Sequence, residues 1–375
     1  MYLGNAIGVV VPAYNEAGFV GTVIDTIPAF VDRTYVVDDH STDGTWREIS
    51  VHASRANNPS VQRTNDQRAT DQDREPSQLT ADGGEITGER VIAIRHPTNR
   101  GRGAAVKTGY KRALEDDMDV IVVMDGDGQM DPAILTSIID PVVDGTADYA
   151  VGDRLGGPSY WRGMPPWRLF GNTLLSGLTR IASGYWHIRD PQNGYTAISA
   201  STLHELEFDR LYDQYGFLND LLVNLNVAEK RVATVPMNAR YGDEESGIRY
   251  SSFVPGLSFL LLKDFLWRLR VKYLYRGNVA PVLMYVLGVV SLLVGVARFS
   301  RAVVSRDRSS GSTTHVLGGA IALVGAMLLD KGMNEHLQQS GDIATTVDTG
   351  HGERDPEFTD EERTVSDDQH VERAP

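Results

Sequence analysis

The sequence predicts an α/β domain built on a mostly parallel sheet, followed by an amphipathic helix at a membrane interface and C-terminal transmembrane helices. Three observations predict it. Short β-branched runs alternate with helix-period segments through the first two thirds of the chain. Several of those runs end in acidic or glycine-rich turns, at Asp38-Asp39, Gly101-Arg102-Gly103 and Asp125-Gly126-Asp127-Gly128, and open parallel sheets bind their ligands at the C-terminal ends of their strands. Two apolar stretches then follow a basic, aromatic one.

Composition sets bounds. The 375 residues allow one large domain with appendages. A formal charge of −14 argues against a nucleic-acid surface, and the lack of cysteine rules out a disulfide framework. The first strand starts almost at once, with no charged and then apolar leader before it, so no signal peptide is expected and the domain is expected in the cytoplasm.

In order, residues 7–11 read as the first strand, and Pro12-Ala13-Tyr14-Asn15-Glu16 as its turn. A helix is expected over 16–30, with Val20, Val23, Ile24 and Ile27 on one face. Residues 35–37 form a second strand that ends in Asp38-Asp39, and a helix starts at Trp46. Residues 54–89 are polar and nearly free of large apolar side chains, so a disordered insertion is expected. Residues 91–95 are the third strand. The following Gly101-Arg102-Gly103-Ala104-Ala105-Val106-Lys107-Thr108 narrowly misses a phosphate loop, because Val106 stands where glycine must precede Lys-Thr. It reads as a glycine turn opening a helix close to the sheet, with its amides and Arg102 toward phosphates or with a packing role alone.

The run 120–124 is a buried strand that ends in Asp125 and Asp127, one residue apart. Both carboxylates point the same way if the chain stays extended, and Gly126 and Gly128 let a bulky ligand approach. Hard oxygen donors of this kind suit Mg²⁺ or Mn²⁺ carrying a diphosphate, with Gln129 as a neutral oxygen. A calcium EF-hand would need Gly and Glu where Met130 and Thr136 stand. The plain alternative is an acidic turn ahead of a helix, with Asp131 as N-cap and Pro132 at N1.

Beyond it lie a helix over 132–143, a strand at 149–151 ending in Gly152-Asp153-Arg154, and a Trp- and Pro-rich loop at 158–166. A helix over 168–183, the turn from Asp190 to Tyr195 before a short strand, a helix over 216–227 and a last strand at 232–235 complete the domain, residues 1–250. Residues 253–276 mix Leu, Phe and Trp267 with Lys263, Arg268, Arg270, Lys272 and Arg276, an amphipathic membrane-interface helix with its cations at headgroups. Residues 278–297 suit a transmembrane helix, and 315–331, closed by Asp330 and Lys331, a second and shorter one. Both flanks of the first span are basic, so the positive-inside rule gives no clean orientation. Residues 341–375 are an acidic tail expected to be disordered.

Taken together, Pro12-Ala13-Tyr14-Asn15-Glu16, Val36-Val37-Asp38-Asp39-His40-Ser41-Thr42-Asp43-Gly44-Thr45, the glycine turn and Asp125-Gly126-Asp127-Gly128-Gln129 resemble the family 2 glycosyltransferases of the GT-A fold. Within these the chain is similar to the dolichyl- or polyprenyl-phosphate hexose synthases, of which dolichyl-phosphate mannose synthase is the best-known type. The resemblance implies a GT-A domain at the cytoplasmic face of a cell membrane. It implies an inverting, metal-dependent transfer of one hexose from a nucleotide sugar of the GDP-mannose or UDP-glucose type to dolichyl or polyprenyl phosphate.

The resemblance also implies roles. Pro12, Tyr14, Glu16 and Asp39 match residues that hold the nucleoside, with Asp125 and Gly126 also on the nucleotide sugar. Asp125, Asp127 and Gln129 match the metal motif, and Asp127, Arg168 and Arg240 the catalytic set. Arg154 and Arg168 match arginines for the acceptor phosphate, though Asp153 departs from the family's Gly-Ser-Arg. Asp190 and Asp220 sit where related enzymes carry acidic residues, and a turn role suits Asp190 equally. Two rival readings stand beside this one. One is a glycosyltransferase that extends a lipid-linked glycan, for which Asp190 or Asp220 would be the base. The other is a membrane-anchored nucleotide-sugar-binding protein without turnover.

Overall fold

The β-branched runs become the strands of one eight-stranded sheet, ordered β3-β2-β1-β4-β6-β5-β7-β8. A computed structural model describes residues 1–58, 90–156, 166–238, 250–305 and 311–339; of 166–170, 172, 250–254, 302–305 and 311–312 the backbone alone is described. The first half holds β1 (Ile7–Ala13), α1 (Val20–Thr26), β2 (Arg33–Asp38), α2 (Thr45–Asn57), β3 (Val91–Arg95), α3 (Arg102–Glu115) and β4 (Val120–Val123). A 3₁₀ turn, Pro132–Ile134, leads into α4 (Leu135–Val143). Then come β5 (Tyr149–Asp153), α5 (Pro166–Ser183), β6 (Thr196–Ser199), α6 (Ala200–Glu205), α7 (Phe217–Val227) and β7 (Val232–Pro236). The chain closes with α8 (Tyr250–Arg268), a π turn at Leu269–Leu274, α9 (Ala280–Ser305), α10 (Gly311–Asn334) and β8 (Gln338–Gln339).

β3, β2, β1 and β4 run parallel, as do β5, β7 and β8; β6 is antiparallel to both of its neighbours. The expected mostly parallel α/β sheet is therefore present. Alternate side chains fill the two faces. Val9 and Val11 join a core with Val20, Val23, Ile49 and Ile138 on one side, while Val10 packs with Val106, Tyr110 and Leu221 on the other.

Several boundaries moved for identifiable reasons. The helix expected over 16–30 is only Val20–Thr26, because Asn15 and Gly18 have positive φ ahead of it and Pro28 follows. α2 continues to Asn57, whose amide Nδ2 donates to Val91 O while its Oδ1 accepts from the Arg90 and Val91 amides. One side chain thus joins the two ends of the polar stretch, whose residues 59–89 lie outside the described residues. So do residues 157–165, on which most of the expected Trp- and Pro-rich stretch falls, residues 239–249 with Arg240, residues 306–310 and the acidic tail.

The C-terminal region differs most from expectation. β7 is not the last strand: after α10 the chain returns to the sheet as β8, parallel to β7. The second apolar helix spans Gly311–Asn334 rather than 315–331, about 36 Å at 1.5 Å per residue. α9 and α10 are both long and apolar enough to cross a membrane. They approach closely at small residues: a Cβ at Gly288 would stand 2.7 Å from Leu323 and one at Gly319 2.8 Å from Leu292 N.

Two of the cations expected at headgroups are instead inside the protein. Arg268 is fully buried, paired with Asp330 and donating to the Ala182 and Ile181 carbonyls. Lys272 is buried and donates to Asn226 O and Oδ1. Tyr273, Asn334 and Trp186 add hydrogen bonds to Asp330. A buried charge must be paired and hydrogen-bonded, and this network joins the helical hairpin to the domain. The opposite face of α8 still exposes Phe259, Leu262, Leu266 and Trp267, with Lys263 63% exposed.

Candidate active site

The strand order reverses between β1 and β4, since β2 and β3 lie on one side of β1 and β4 on the other. Open α/β sheets bind ligands at such a switch point. The turns singled out in the sequence meet there. After β4 the chain keeps to its neighbour, Met124 N donating to Val10 O at 3.0 Å and Gly126 N to Pro12 O at 3.2 Å. A Cβ at Gly126 would lie 3.2 Å from Ala13 Cβ, so the glycine permits this approach. On the other side Asp39 N donates to Ala13 O at 2.9 Å. The turn after β1 is fixed from below: Asn15 N donates to Ser41 Oγ and Glu16 N to Thr45 Oγ1. Tyr14 stands on it with its side chain open to solvent.

Asp125 is met by Arg102 at the start of α3. Nε donates to Oδ1 at 3.0 Å and Nη2 to the same oxygen at 2.6 Å. Gly194, from the turn before β6, closes on the pair. A Cβ there would run into Arg102 Nη2 and Asp125 Oδ2, so a larger residue would force the pair to shift. Asp127 accepts the amide of Gln129 at 2.9 Å, folding the loop on itself, and Gly128 takes the left-handed conformation at φ 74°. Asp131 caps the next turn through Ala133 N, as the plain capping reading expects.

The donor set fits a small hard cation. Two carboxylates and an amide leave one turn together, and among the described residues no group of three or more His, Cys, Asp or Glu side chains gathers to form a closed cage. Mg²⁺ is held in this way, by one or two carboxylates, water and substrate phosphates.

Asp39 does not stand open as a free acceptor. It is buried, Oδ1 taking His96 Nδ1 at 2.7 Å and Arg100 N at 2.9 Å, and Oδ2 taking Gly101 N at 2.7 Å. Burial alone would raise its carboxyl, yet the His96 bond and the two amides hold it below the ordinary carboxylate range. It positions the glycine turn from which Arg102 rises.

Arg154 follows β5 and is bonded to Asp190, Nε to Oδ2 at 2.6 Å and Nη2 to Oδ1 at 3.1 Å. Asp153 turns away and accepts Leu155 N. Asp220 takes Tyr212 N and Asn224 Nδ2. Arg168 lies in the first turn of α5, where the backbone alone is described. Sequence reasoning missed His96, and it read Gly194 as an ordinary turn residue.

The mostly parallel sheet brings Asp125, Asp127 and Arg102 together at its switch point, the place where open α/β sheets bind their ligands. Residues 64–206 match the family model of Glycosyl transferase family 2. The chain is 28% identical to UDP-N-acetylglucosamine–dolichyl-phosphate N-acetylglucosaminyltransferase of Methanococcus voltae, over 62% of this chain and 84% of that one. It is also 28% identical to undecaprenyl-phosphate mannosyltransferase of Micrococcus luteus, over 61% and 81%. Among solved structures, glucosyl-3-phosphoglycerate synthase from Mycobacterium tuberculosis with Mn²⁺, UDP and glucosyl-3-phosphoglycerate covers 71% of this chain and 80% of its own. Its identity is 18% and its TM-score 0.47.

Proposed function

We propose that the protein moves one hexose from a nucleotide sugar, of the GDP-mannose or UDP-glucose type, to a polyprenyl phosphate of the dolichyl class at the cytoplasmic face of a membrane. The observation that carries this reading is a conjunction within one compact unit. The Asp125–Arg102 pair and Asp127 lie at the switch point of the sheet, and two apolar helices are joined to the same domain by the buried Arg268–Asp330 pair. The two relatives named above bear names that refer to lipid phosphates.

Asp125, Asp127 and Gln129 would hold Mg²⁺ or Mn²⁺, which when bound supplies positive charge to the leaving diphosphate. Arg102 adds a fixed cation beside it, already oriented by Asp125. Pro12, Gly126 and Glu16 shape the nucleoside side of the turn, and Tyr14 offers a ring to pack on the base. Asp39 sets the glycine turn through its amides. On the acceptor side a lipid phosphate oxygen forms its bond to the anomeric carbon as the bond to the nucleoside diphosphate breaks, so the configuration inverts. That oxygen is ionised at neutral pH and needs no general base, only cations that bring two anions together. Arg154, Arg168 and Arg240 are assigned to this task. Asp190 is buried and bonded twice to Arg154, which suits an orienting carboxylate rather than a base that must take a proton.

The test is Asp127→Asn. It should abolish transfer while leaving the melting temperature unchanged, and EDTA should do the same to the unmodified protein. Full activity in chelator would refute the metal assignment.

A further inference from the structure

Lys107 stands where a phosphate loop would place its lysine, yet it faces away from the carboxylates. It is 8% exposed, and Nζ donates to Asp209 O at 3.0 Å and Leu211 O at 2.7 Å and pairs with Asp213 Oδ1 at 2.6 Å. All three partners belong to the loop that leads into α7. The same loop is bound to the glycine turn from two further sides. Ala104 N donates to Asp213 O at 3.0 Å, and Gln214 Nε2 to Arg100 O at 3.1 Å.

The glycines of the near-miss motif are explained by this contact. A Cβ at Gly103 would fall 2.4 Å from Tyr212 O, and one at Gly101 2.6 Å from Asp213 O. Gly101 also has φ 97°. The turn is glycine-rich because another stretch of backbone lies on it. Beyond Gln214 the loop presents Tyr215, 54% exposed. Burial raises its phenol; Arg102 counters that, and Asp125, Glu16 and Tyr14 add to it. On its other flank the loop meets α8, a Cβ at Gly216 falling 2.4 Å from Leu260.

We propose that Tyr215, next along the loop that lies on the glycine turn bearing Arg102, is a donor-binding residue, and that Lys107 is the positioning residue that holds this loop in place. This rests on the donor-site reading above. A phenol there offers a hydroxyl to a diphosphate or sugar oxygen and a ring edge to exclude water. Neutralising the Lys107 ammonium releases three bonds to the loop and no bond to the metal turn.

The experiment is calorimetry of the full chain in detergent with UDP and with GDP, each with Mn²⁺, beside binding of Mn²⁺ alone. Tyr215→Ala and Tyr215→Phe should each weaken the preferred nucleotide about tenfold, the size of one lost hydrogen bond, and leave Mn²⁺ affinity alone. Lys107→Met should weaken it by a similar factor. Asp213→Asn, which removes one arm of the staple from a more exposed site, should give a smaller loss of the same kind. The double variant Lys107→Met with Tyr215→Ala should be no worse than the poorer single, because both act through one contact. Unchanged nucleotide affinity in Tyr215→Ala, or additive losses in the double variant, would overturn the proposal. If the unmodified protein binds neither nucleotide, the donor-site reading falls and this inference with it. If it binds one and Tyr215→Ala binds it equally, this inference alone falls.

Discussion

Arg102 and Asp125, 23 positions apart in the chain, are joined by two hydrogen bonds to a single carboxylate oxygen, Oδ1, while Oδ2 faces Gly194. The arrangement places a fixed positive charge beside the two carboxylates assigned to the metal. It leads to a pair of opposite expectations. Arg102→Ala should tighten Mn²⁺ binding several-fold, since a competing cation leaves Asp125, and should weaken nucleoside diphosphate binding by about tenfold or more through loss of a charge-assisted contact. Calorimetry with each ligand separately reads both signs. Weakening of both would mean that Arg102 only supports the fold of the turn.

The Arg268–Asp330 pair joins the apolar hairpin to the domain, both side chains fully buried. Asp330→Ala should destabilise the protein by about 3–5 kcal/mol, because it leaves a buried guanidinium without its counter-charge. Arg268→Met combined with Asp330→Leu should recover most of the loss, since the penalty lies in the orphaned charge rather than in the missing attraction. Thermal melts of the parent and both variants in detergent check this. A single variant as stable as the parent would show that the pair does not hold the hairpin.

Asp264 on α8 is buried, and burial together with the nearby Asp220 carboxylate pushes its pKa up to about 7, against a smaller opposing effect of Lys263. A raised carboxyl favours the folded state while it is protonated. Its contribution is complete below the ordinary carboxylate range and is lost as pH rises through about 7. Asp264→Asn should therefore raise the melting temperature more at pH 8 than at pH 5. Equal effects at the two pH values would contradict the assignment.

Much of the site was legible in the sequence. Parallel strands announced themselves as β-branched runs, and their turns as acidic or glycine-rich breaks, because both signals are local. What was not legible depends on partners far along the chain. Arg268 and Lys272 read as headgroup cations, since nothing near them suggests burial; their partners are Asp330, 62 positions on, and Asn226, 46 positions back. Asp39 was matched to residues that hold a nucleoside, and its bonds to His96 and the amides of Arg100 and Gly101 could not be read because those donors lie beyond the polar insertion. The strand β8 has only two residues and carries no periodic signal of its own. Lys107 showed a motif without its function, because the loop it holds is about a hundred residues away.

The most direct test of the central claim is a transfer assay in vesicles. Purified full-length protein in bilayers containing dolichyl or undecaprenyl phosphate is incubated with Mn²⁺ and labelled GDP-mannose, UDP-glucose or UDP-N-acetylglucosamine, and the lipid is extracted. The account predicts label in an acid-labile lipid monophosphate sugar from one of these donors. That label should be absent without the lipid phosphate, absent in EDTA and absent with Asp127→Asn. Label that appears only when a preformed lipid-linked glycan is supplied, or no transfer from any donor by a protein that binds nucleotide, would contradict it.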